Sequence, residues 1–284
     1  MNVIRDILVM QQTAESLRRS GRRLAVVPTM GALHGGHAEL IRVARGHADS
    51  VITTIFVNPK QFGPAEDFDR YPRDLEGDTA KAAAAGSTIV FAPETSAMYA
   101  AGSATEVDPG RLGTVLEGAS RPGHFRGVTT VVAKLFNITQ PHLAVFGQKD
   151  AQQAVIIRRM IADLNFGIQL IVVPIVREPD GLAMSSRNAY LTPAQRKEAP
   201  VLSRALRRAE EIVRAGERRS GRIIGETSSV IRSGSSGRID YVSVADGSTL
   251  EEIPALAPGM AVLISLAVRF GETRLIDNLT MQVP

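Results

Sequence analysis

Short, nearly unbroken apolar runs alternate with helical stretches through the first half of the chain. Residues 23–29, 51–57, 88–91, 142–146 and 168–176 form such runs, the second rich in β-branched side chains. An apolar run without polar alternation predicts a strand covered on both faces, as in a parallel sheet. Between these runs, residues 37–48, 75–85, 127–138 and 151–164 read as helices, and Gly86 supplies a C-cap for the second. Strand–helix alternation of this kind predicts a doubly wound, Rossmann-like α/β sheet. Such sheets bind ligands at the carboxyl ends of their strands.

The pattern changes after Val176. Residues 192–215 predict one long helix, with Thr192 as N-cap and Pro193 in the first turn. A shorter helix is expected over 222–232, then a Gly/Ser turn at 233–237. Strands follow at 239–244, 261–268 and 273–278, with Gly271 between the last two as in a hairpin. The expected organisation is an α/β domain over residues 1–176 and a smaller α+β domain over 177–284 that closes over the site.

Composition narrows the class. The chain has 284 residues, 44% of them hydrophobic, enough for a sizeable core in two domains. It holds no run of eighteen apolar residues, so no membrane span is expected. The start, MNVIRDILVM, lacks the pattern of a secretion signal. Cysteine is absent, which excludes disulfides and thiolate metal sites and fits a reducing cytoplasm. The net charge of +4 is scattered in pairs such as Arg18-Arg19, Arg22-Arg23, Arg207-Arg208 and Arg218-Arg219. Scattered pairs read as solvated helix faces rather than a nucleic-acid surface.

The chemistry is concentrated in a few strings. VPTMGALHGGH, from Val27 to His37, places a glycine-bearing turn and two histidines where a strand ends and a helix opens. Unused backbone N–H groups and the helix dipole make such a turn an anion site. Gly35 and Gly36 admit a phosphate close to the backbone, and His34 and His37 fall on one face of a helix. Zinc-protease histidines sit four apart with a glutamate, unlike this pair. Asn58 and Gln61 follow the second strand, where their amides can read a hydroxyl and a carboxylate. Gly147-Gln148-Lys149-Asp150 follows the fourth strand and puts a lysine beside a helix start. Met184-Ser185-Ser186-Arg187 joins two hydroxyls to a guanidinium, a cradle for pyrophosphate. Glu117, Arg121 and His124, within LEGASRPGHF, read equally as a mobile lid, a subunit contact or a plain loop. Asp74, Glu76 and Asp78 open a helix and complement its dipole.

These strings carry a resemblance. The HxGH string resembles the signature of the nucleotidylyltransferase superfamily. PTMGALHxGH, IFVNPKQF, FGQKDAQQ and REPDGLAMSSRN together resemble the pantothenate synthetase family. The match runs through most of the chain. It implies a ligase that joins (R)-pantoate to β-alanine with ATP, through a pantoyl-adenylate, releasing AMP and pyrophosphate. It implies ATP contacts at Met30, Gly31, Ala32, Leu33, His34, Gly35, Gly36, His37, Gly147, Gln148, Lys149, Asp150, Val176, Met184, Ser185, Ser186 and Arg187. It gives catalytic roles to His34, His37 and Lys149, with His37 the proton donor. It implies acid-side contacts at Gln61, Gln153 and Asn58. Magnesium would accompany ATP, and the partners are small molecules, with a homodimer in the cytoplasm. Protein ligands for the metal stay unassigned, because Gly77 interrupts the acids of the third helix and Lys81 follows. Ala151 departs from the family, which commonly has tyrosine there. Two other classes stay open: a nucleotidylyltransferase that moves AMP onto a phosphate, and a non-enzymatic nucleotide- or RNA-binding module.

Overall fold

The computed structural model describes residues 1–64 and 66–284. The chain separates into two compact units, one comprising Met1–Gly147 with Ile156–Pro174, the other Gln148–Val155 with Ile175–Pro284.

The first unit holds strands β1 (Asn2–Ile4), β2 (Leu24–Thr29), β3 (Ser50–Ile55), β4 (Ile89–Phe91), β5 (Leu143–Gly147) and β6 (Gln169–Val173). They form one sheet in the order β1-β4-β3-β2-β5-β6 with every pair parallel. Its helices are α1 (Ile7–Arg19), α2 (Gly35–His47), α3 (Leu75–Ala84), α4 (Thr95–Met98), α5 (Glu117–Ser120) and α6 (His124–Thr139). Helix α7 (Ala151–Asp163) runs from the second unit's segment into the first.

Side-chain alternation along β2 shows why the strands are apolar throughout. Leu24 and Val26 enter a core with Met10 of α1, Phe125 to Ile138 of α6, and Ile156 and Ile157 of α7. Ala25 and Val27 enter the opposite core with Leu40, Ile41 and Ala44 of α2 and Ala82 of α3. A doubly wound sheet therefore forms, as the alternation predicts. Sheet order reverses at β2: the chain moves one way to β3 and β4, and later the other way to β5 and β6. Pairing of β2 with β3 continues to Thr29↔Ile55, while pairing with β5 is confined to Ala25↔Leu143 and Val26↔Ala144. The carboxyl end of β2 thus lies at the switch point, where this architecture opens a crevice.

The second unit holds α8 (Pro193–Glu198), α9 (Val201–Arg214), α10 (Ser220–Gly234) and an antiparallel sheet β7-β8-β9, of Arg238–Asp246, Ala261–Phe270 and Thr273–Gln282. Val201, Leu202, Ala205, Leu206, Ala209 and Val213 make the buried stripe of α9, which packs with Val244, Val262, Ile264 and Leu266 of the sheet. The small α+β architecture agrees with the pattern after Val176.

Three local expectations change. The predicted helix over 192–215 is two helices, because Pro200 lacks an N–H to continue the first and instead precedes α9. Strand β6 ends at Val173, before Pro174, rather than at Val176. Strand β1 and helix α1 were not anticipated, although Asp6 caps α1 by accepting the N–H of Val9 at 2.9 Å. Among the described residues, no helix is long and apolar enough to cross a membrane.

Gly127 of α6 packs directly on the 3-10 turn Pro59–Gln61. A Cβ there would collide with the carbonyl of Lys60 and the nitrogen of Gln61. Gly127→Ala is expected to cost about 1–3 kcal/mol, the usual range for overpacking. Urea unfolding checks this, and an unchanged midpoint would contradict the packing.

Candidate active site

The turn between β2 and α2 is held by side chains before any ligand arrives. Gly31 adopts φ +87° and Ala32 φ +51°, a left-handed pair that reverses the chain. Asp78 of α3, 1% exposed, accepts the N–H of Ala32 through Oδ2 and that of Leu33 through Oδ1, each at 2.7 Å. A Cβ on Gly31 would lie 2.9 Å from Asp78 Oδ2, so glycine is needed there for space as well as for φ. The N–H of Gly31 donates to Thr29 Oγ1, and Thr29 Oγ1 donates to the Thr54 carbonyl.

His34 is the N-cap of α2 rather than a member of the helix, so the two histidines do not share a helical face as the spacing suggested. They form a reciprocal cap instead. The Gly36 N–H donates to His34 Nδ1 at 3.1 Å, and the His34 N–H donates to His37 Nδ1 at 3.3 Å. The ring centroids are 4.1 Å apart. Because each Nδ1 accepts, the neutral imidazoles carry their proton on Nε2. Most N–H groups expected to greet an anion are therefore already engaged within the turn. The two imidazoles are held in register by the cap.

Gln61 lies at the end of the 3-10 turn that follows β3. Its Oε1 accepts from Asn58 Nδ2 at 3.1 Å, which orients its own Nε2 toward Met30 Sδ at 3.0 Å. A thioether is a weak acceptor, so a carboxylate or hydroxyl oxygen would be a better partner. Asn58 itself is 1% exposed. It donates to Gln61 and to the Gly127 carbonyl, and accepts from the Lys60 N–H and Tyr99 Oη. Its hydrogen-bonding capacity is filled by these four contacts, through one of which it orients Gln61. Burial, then the charge of Glu106, raises the Tyr99 hydroxyl well above its ordinary pKa, keeping it a donor.

The LEGASRPGHF string closes on the same turn. The Gln61 carbonyl accepts from His124 Nδ1 at 2.7 Å and from Arg121 Nη2 at 3.2 Å. Arg121 donates through Nε to Glu66 Oε1 at 2.7 Å and through Nη2 to Oε2 at 2.5 Å. Arg121 Nη1 lies 3.0 Å from His124 Nε2, which must therefore accept. His124 thus carries its proton on Nδ1, the opposite tautomer to His34 and His37. Burial pushes the Glu66 carboxyl up, but the hydrogen bonds and charge of Arg121 outweigh it and hold it below the ordinary range.

In the second unit, Lys149 belongs to the 3-10 turn Gln148–Asp150, and Gln153 is partly buried on α7. Residues 177–183 form a tight hairpin, with Arg177 bridged to Ala183 and Gly181 at φ +93°. The Met184 N–H donates to the Val176 carbonyl at 3.0 Å. Ser185 caps the turn Ser186–Tyr190, accepting the Arg187 N–H at 3.2 Å. Lys149, Ser185, Asn188 and Asp277 line one recess. Asn188 Oδ1 is buried with no hydrogen-bond partner among the described residues. Ala151 is the buried first residue of α7.

The acids at the start of α3 do not fit a protein-held cation. Asp74 accepts the Gly77 N–H as a helix cap, and both oxygens of Asp78 serve the β2–α2 turn. Among the described residues, no group of three His, Asp or Glu side chains is placed to hold a metal ion. Sequence reasoning left the role of Asp78 at the dipole. Its signal was burial: an acid at a helix position that faces the sheet needs donors.

The family model for pantoate-β-alanine ligase matches residues 2–280. Pantothenate synthetase of Moorella thermoacetica is 52% identical over 283 residues, covering 100% of this chain and 99% of the relative. That of Geobacter sulfurreducens is 52% identical over 278 residues, covering 98% of each. The crystal structure of pantothenate synthetase from Thermus thermophilus matches with a TM-score of 0.90 at 44% identity, over 98% of this chain and 99% of that one. Pantoate-β-alanine ligase from Francisella tularensis, complexed with β-γ ATP and β-alanine, matches with a TM-score of 0.80 at 32% identity, over 98% and 97%.

Asp78→Asn would set an amide N–H₂ against one of the two backbone donors. A stability loss of about 1–3 kcal/mol is expected, the cost of a stranded buried donor. Guanidinium unfolding checks it, and an equally stable variant would contradict the anchor. Glu66 gives a pH signature. Its folded-state pKa is depressed below 4.5, so its stabilisation is complete above that pH and is lost as pH falls through the folded value. The unaltered chain should lose more stability on acidification from about pH 5 than Glu66→Gln; parallel acid-unfolding curves would contradict the ion pair.

Proposed function

The chain belongs to the pantoate–β-alanine ligase family, and from this premise we propose how its residues divide the ATP-dependent condensation of (R)-pantoate with β-alanine. The observation that carries the proposal is the reciprocally capped His34–His37 turn at the carboxyl end of β2. A carboxylate is not displaced by an amine at neutral pH without activation. The pantoate carboxylate attacks the α-phosphorus of ATP, the bond to pyrophosphate breaks, and pyrophosphate leaves. The amine of β-alanine, neutral when it attacks, then adds to the acyl carbon and displaces AMP, and the nitrogen gives up its extra proton to water, leaving pantothenate.

The side chains supply placement and charge rather than a covalent intermediate. His34 and His37 present Nε2–H to phosphate oxygens as negative charge grows on the departing pyrophosphate; with each Nδ1 accepting a main-chain N–H, both act as hydrogen-bond donors rather than as acids. Lys149, with Ser185, Ser186 and Arg187, binds the triphosphate, while residues 30–37, 147–150, 176 and 184 line the nucleotide. Gln61 exchanges its contact with Met30 Sδ for an oxygen of pantoate, and Gln153 provides a second amide for the acid. Asn58, Arg121 and His124 hold Gln61 without touching substrate. Magnesium travels with ATP as part of the substrate, its charge matched to the phosphates. The same reading makes the enzyme a cytoplasmic homodimer, consistent with the absence of cysteine.

Mixing enzyme with ATP, magnesium and pantoate should release about one pyrophosphate per active site, because the adenylate stays bound and shielded from water. Adding β-alanine should then yield pantothenate and AMP. Quenched-flow sampling with labelled ATP reads both steps; pyrophosphate that appears only after β-alanine would overturn the stepwise mechanism. His37→Ala should slow adenylate formation by about 100- to 1,000-fold, or ~2.7–4 kcal/mol, with the fold intact. A folded variant with near-normal single-turnover rate removes His37 from the chemistry.

A further inference from the structure

Along strand β9 the odd-numbered residues face inward, Leu279 being half-buried. Thr273, Leu275, Asp277 and Met281 are buried, while Arg274, Ile276, Thr280 and Gln282 are partly or fully exposed. Asp277 is a charge in the apolar register, 2% exposed, and Asn278 is the one even-numbered position of the strand that is buried, at 5%. Successive strand residues face opposite ways, so this dipeptide can grip two different segments.

It does so with nearly all its polar capacity. Asp277 binds Arg177 by a two-pronged ion pair, Nη1 to Oδ2 at 2.7 Å and Nη2 to Oδ1 at 3.0 Å. Arg177 also donates to the Gly181 carbonyl at 3.1 Å, so the pair holds both arms of the hairpin that leads into Met184–Arg187. Asn278 donates through Nδ2 to the carbonyls of Gln148, at 3.0 Å, and Lys149, at 2.9 Å. Its Oδ1 accepts from Gln148 Nε2 at 3.1 Å, and its N–H donates to Asp277 Oδ1 at 2.8 Å. Two segments distant in sequence from β9 and from each other are thereby fixed to adjacent residues of one strand. Lys149 and Ser185 come to line the same recess beside Asp277.

We propose that Asp277 and Asn278 are positioning residues for the ATP half of the reaction, setting the Lys149 turn and the Ser185–Arg187 loop in the relation that phosphate binding requires. The inference rests on the roles proposed above for Lys149 and that loop. Neither residue touches substrate; each acts through main-chain and guanidinium groups that carry the ones that do.

Asn278→Asp is nearly isosteric and sets a carboxylate oxygen against two carbonyls. Asp277→Asn keeps the shape and removes the charge opposite Arg177. Each should lower kcat/KM for ATP by about 100-fold, the scale of a small misplacement at a reacting centre. KM for pantoate and for β-alanine should stay unchanged, with rates normalised to active sites by the pyrophosphate burst. If Asn278→Asp does not fold, Asn278→Ser keeps one donor and should give an intermediate loss. Affinity for a non-hydrolysable ATP analogue, by calorimetry, should weaken in the same order. Unchanged analogue affinity and ATP kinetics in folded variants would overturn the inference, even if Tm fell, as would equal losses for ATP and pantoate. Pantothenate formation by the unaltered chain tests the parent reading separately, because analogue affinity does not depend on it.

Discussion

A carboxylate removed from water is tolerable only if donors surround it, and Asp78 finds them in the main chain of the β2–α2 turn. Two short bonds tie α3 to residues that follow β2, and the left-handed Gly31 leaves room for the acid. The turn then delivers His34 to the N-cap of α2, where the two imidazoles cap the helix for each other. A helix start usually offers bare N–H groups to an anion. Here most of those groups are spent on building the turn, and both rings are tied to it through Nδ1.

The same arrangement recurs around the Gln61 amide. Gln61 is oriented by Asn58 through its side chain and by Arg121 and His124 through its carbonyl. Glu66 orients Arg121 in turn. In the second unit, the Asp277–Asn278 pair treats the Lys149 turn and the 177–183 hairpin alike. In each case a buried or half-buried polar residue serves a backbone carbonyl or N–H of a segment that carries a candidate site residue. Such networks stabilise only when every member is satisfied, which makes each of them sensitive to an isosteric change.

The sequence made the architecture legible because its signals are local. Unbroken apolar strands, Gly86 after α3 and Thr192 before α8 each act within a few residues. The strings around His34, Gln61, Lys149 and Ser185 stood out because residue type and spacing carry them. What escaped were partners supplied from afar. Asn58 looked like a ligand for substrate, and only contacts with Gly127 and Tyr99, 69 and 41 residues away, show that its amide is full. Arg121 and His124 gave no local sign of their grip on Gln61. The break at Pro200 was a missed local signal: a proline within the stretch taken as a single helix. Asp277 was also discoverable, as a charge in the buried register of a strand.

The most direct test of this account concerns protons rather than rates. Nitrogen-15 spectra of the imidazoles in the unliganded enzyme, at about pH 8 where an ordinary histidine is neutral, report which ring nitrogen carries hydrogen. His34 and His37 should both show protonated Nε2 and bare Nδ1, as should His142, whose Nδ1 accepts the Leu24 N–H. His124 should show the reverse, with Nδ1 protonated toward the Gln61 carbonyl. A protonated Nδ1 on His34 or His37 would mean that the reciprocal cap does not exist, and that the donors assigned to the phosphates point elsewhere.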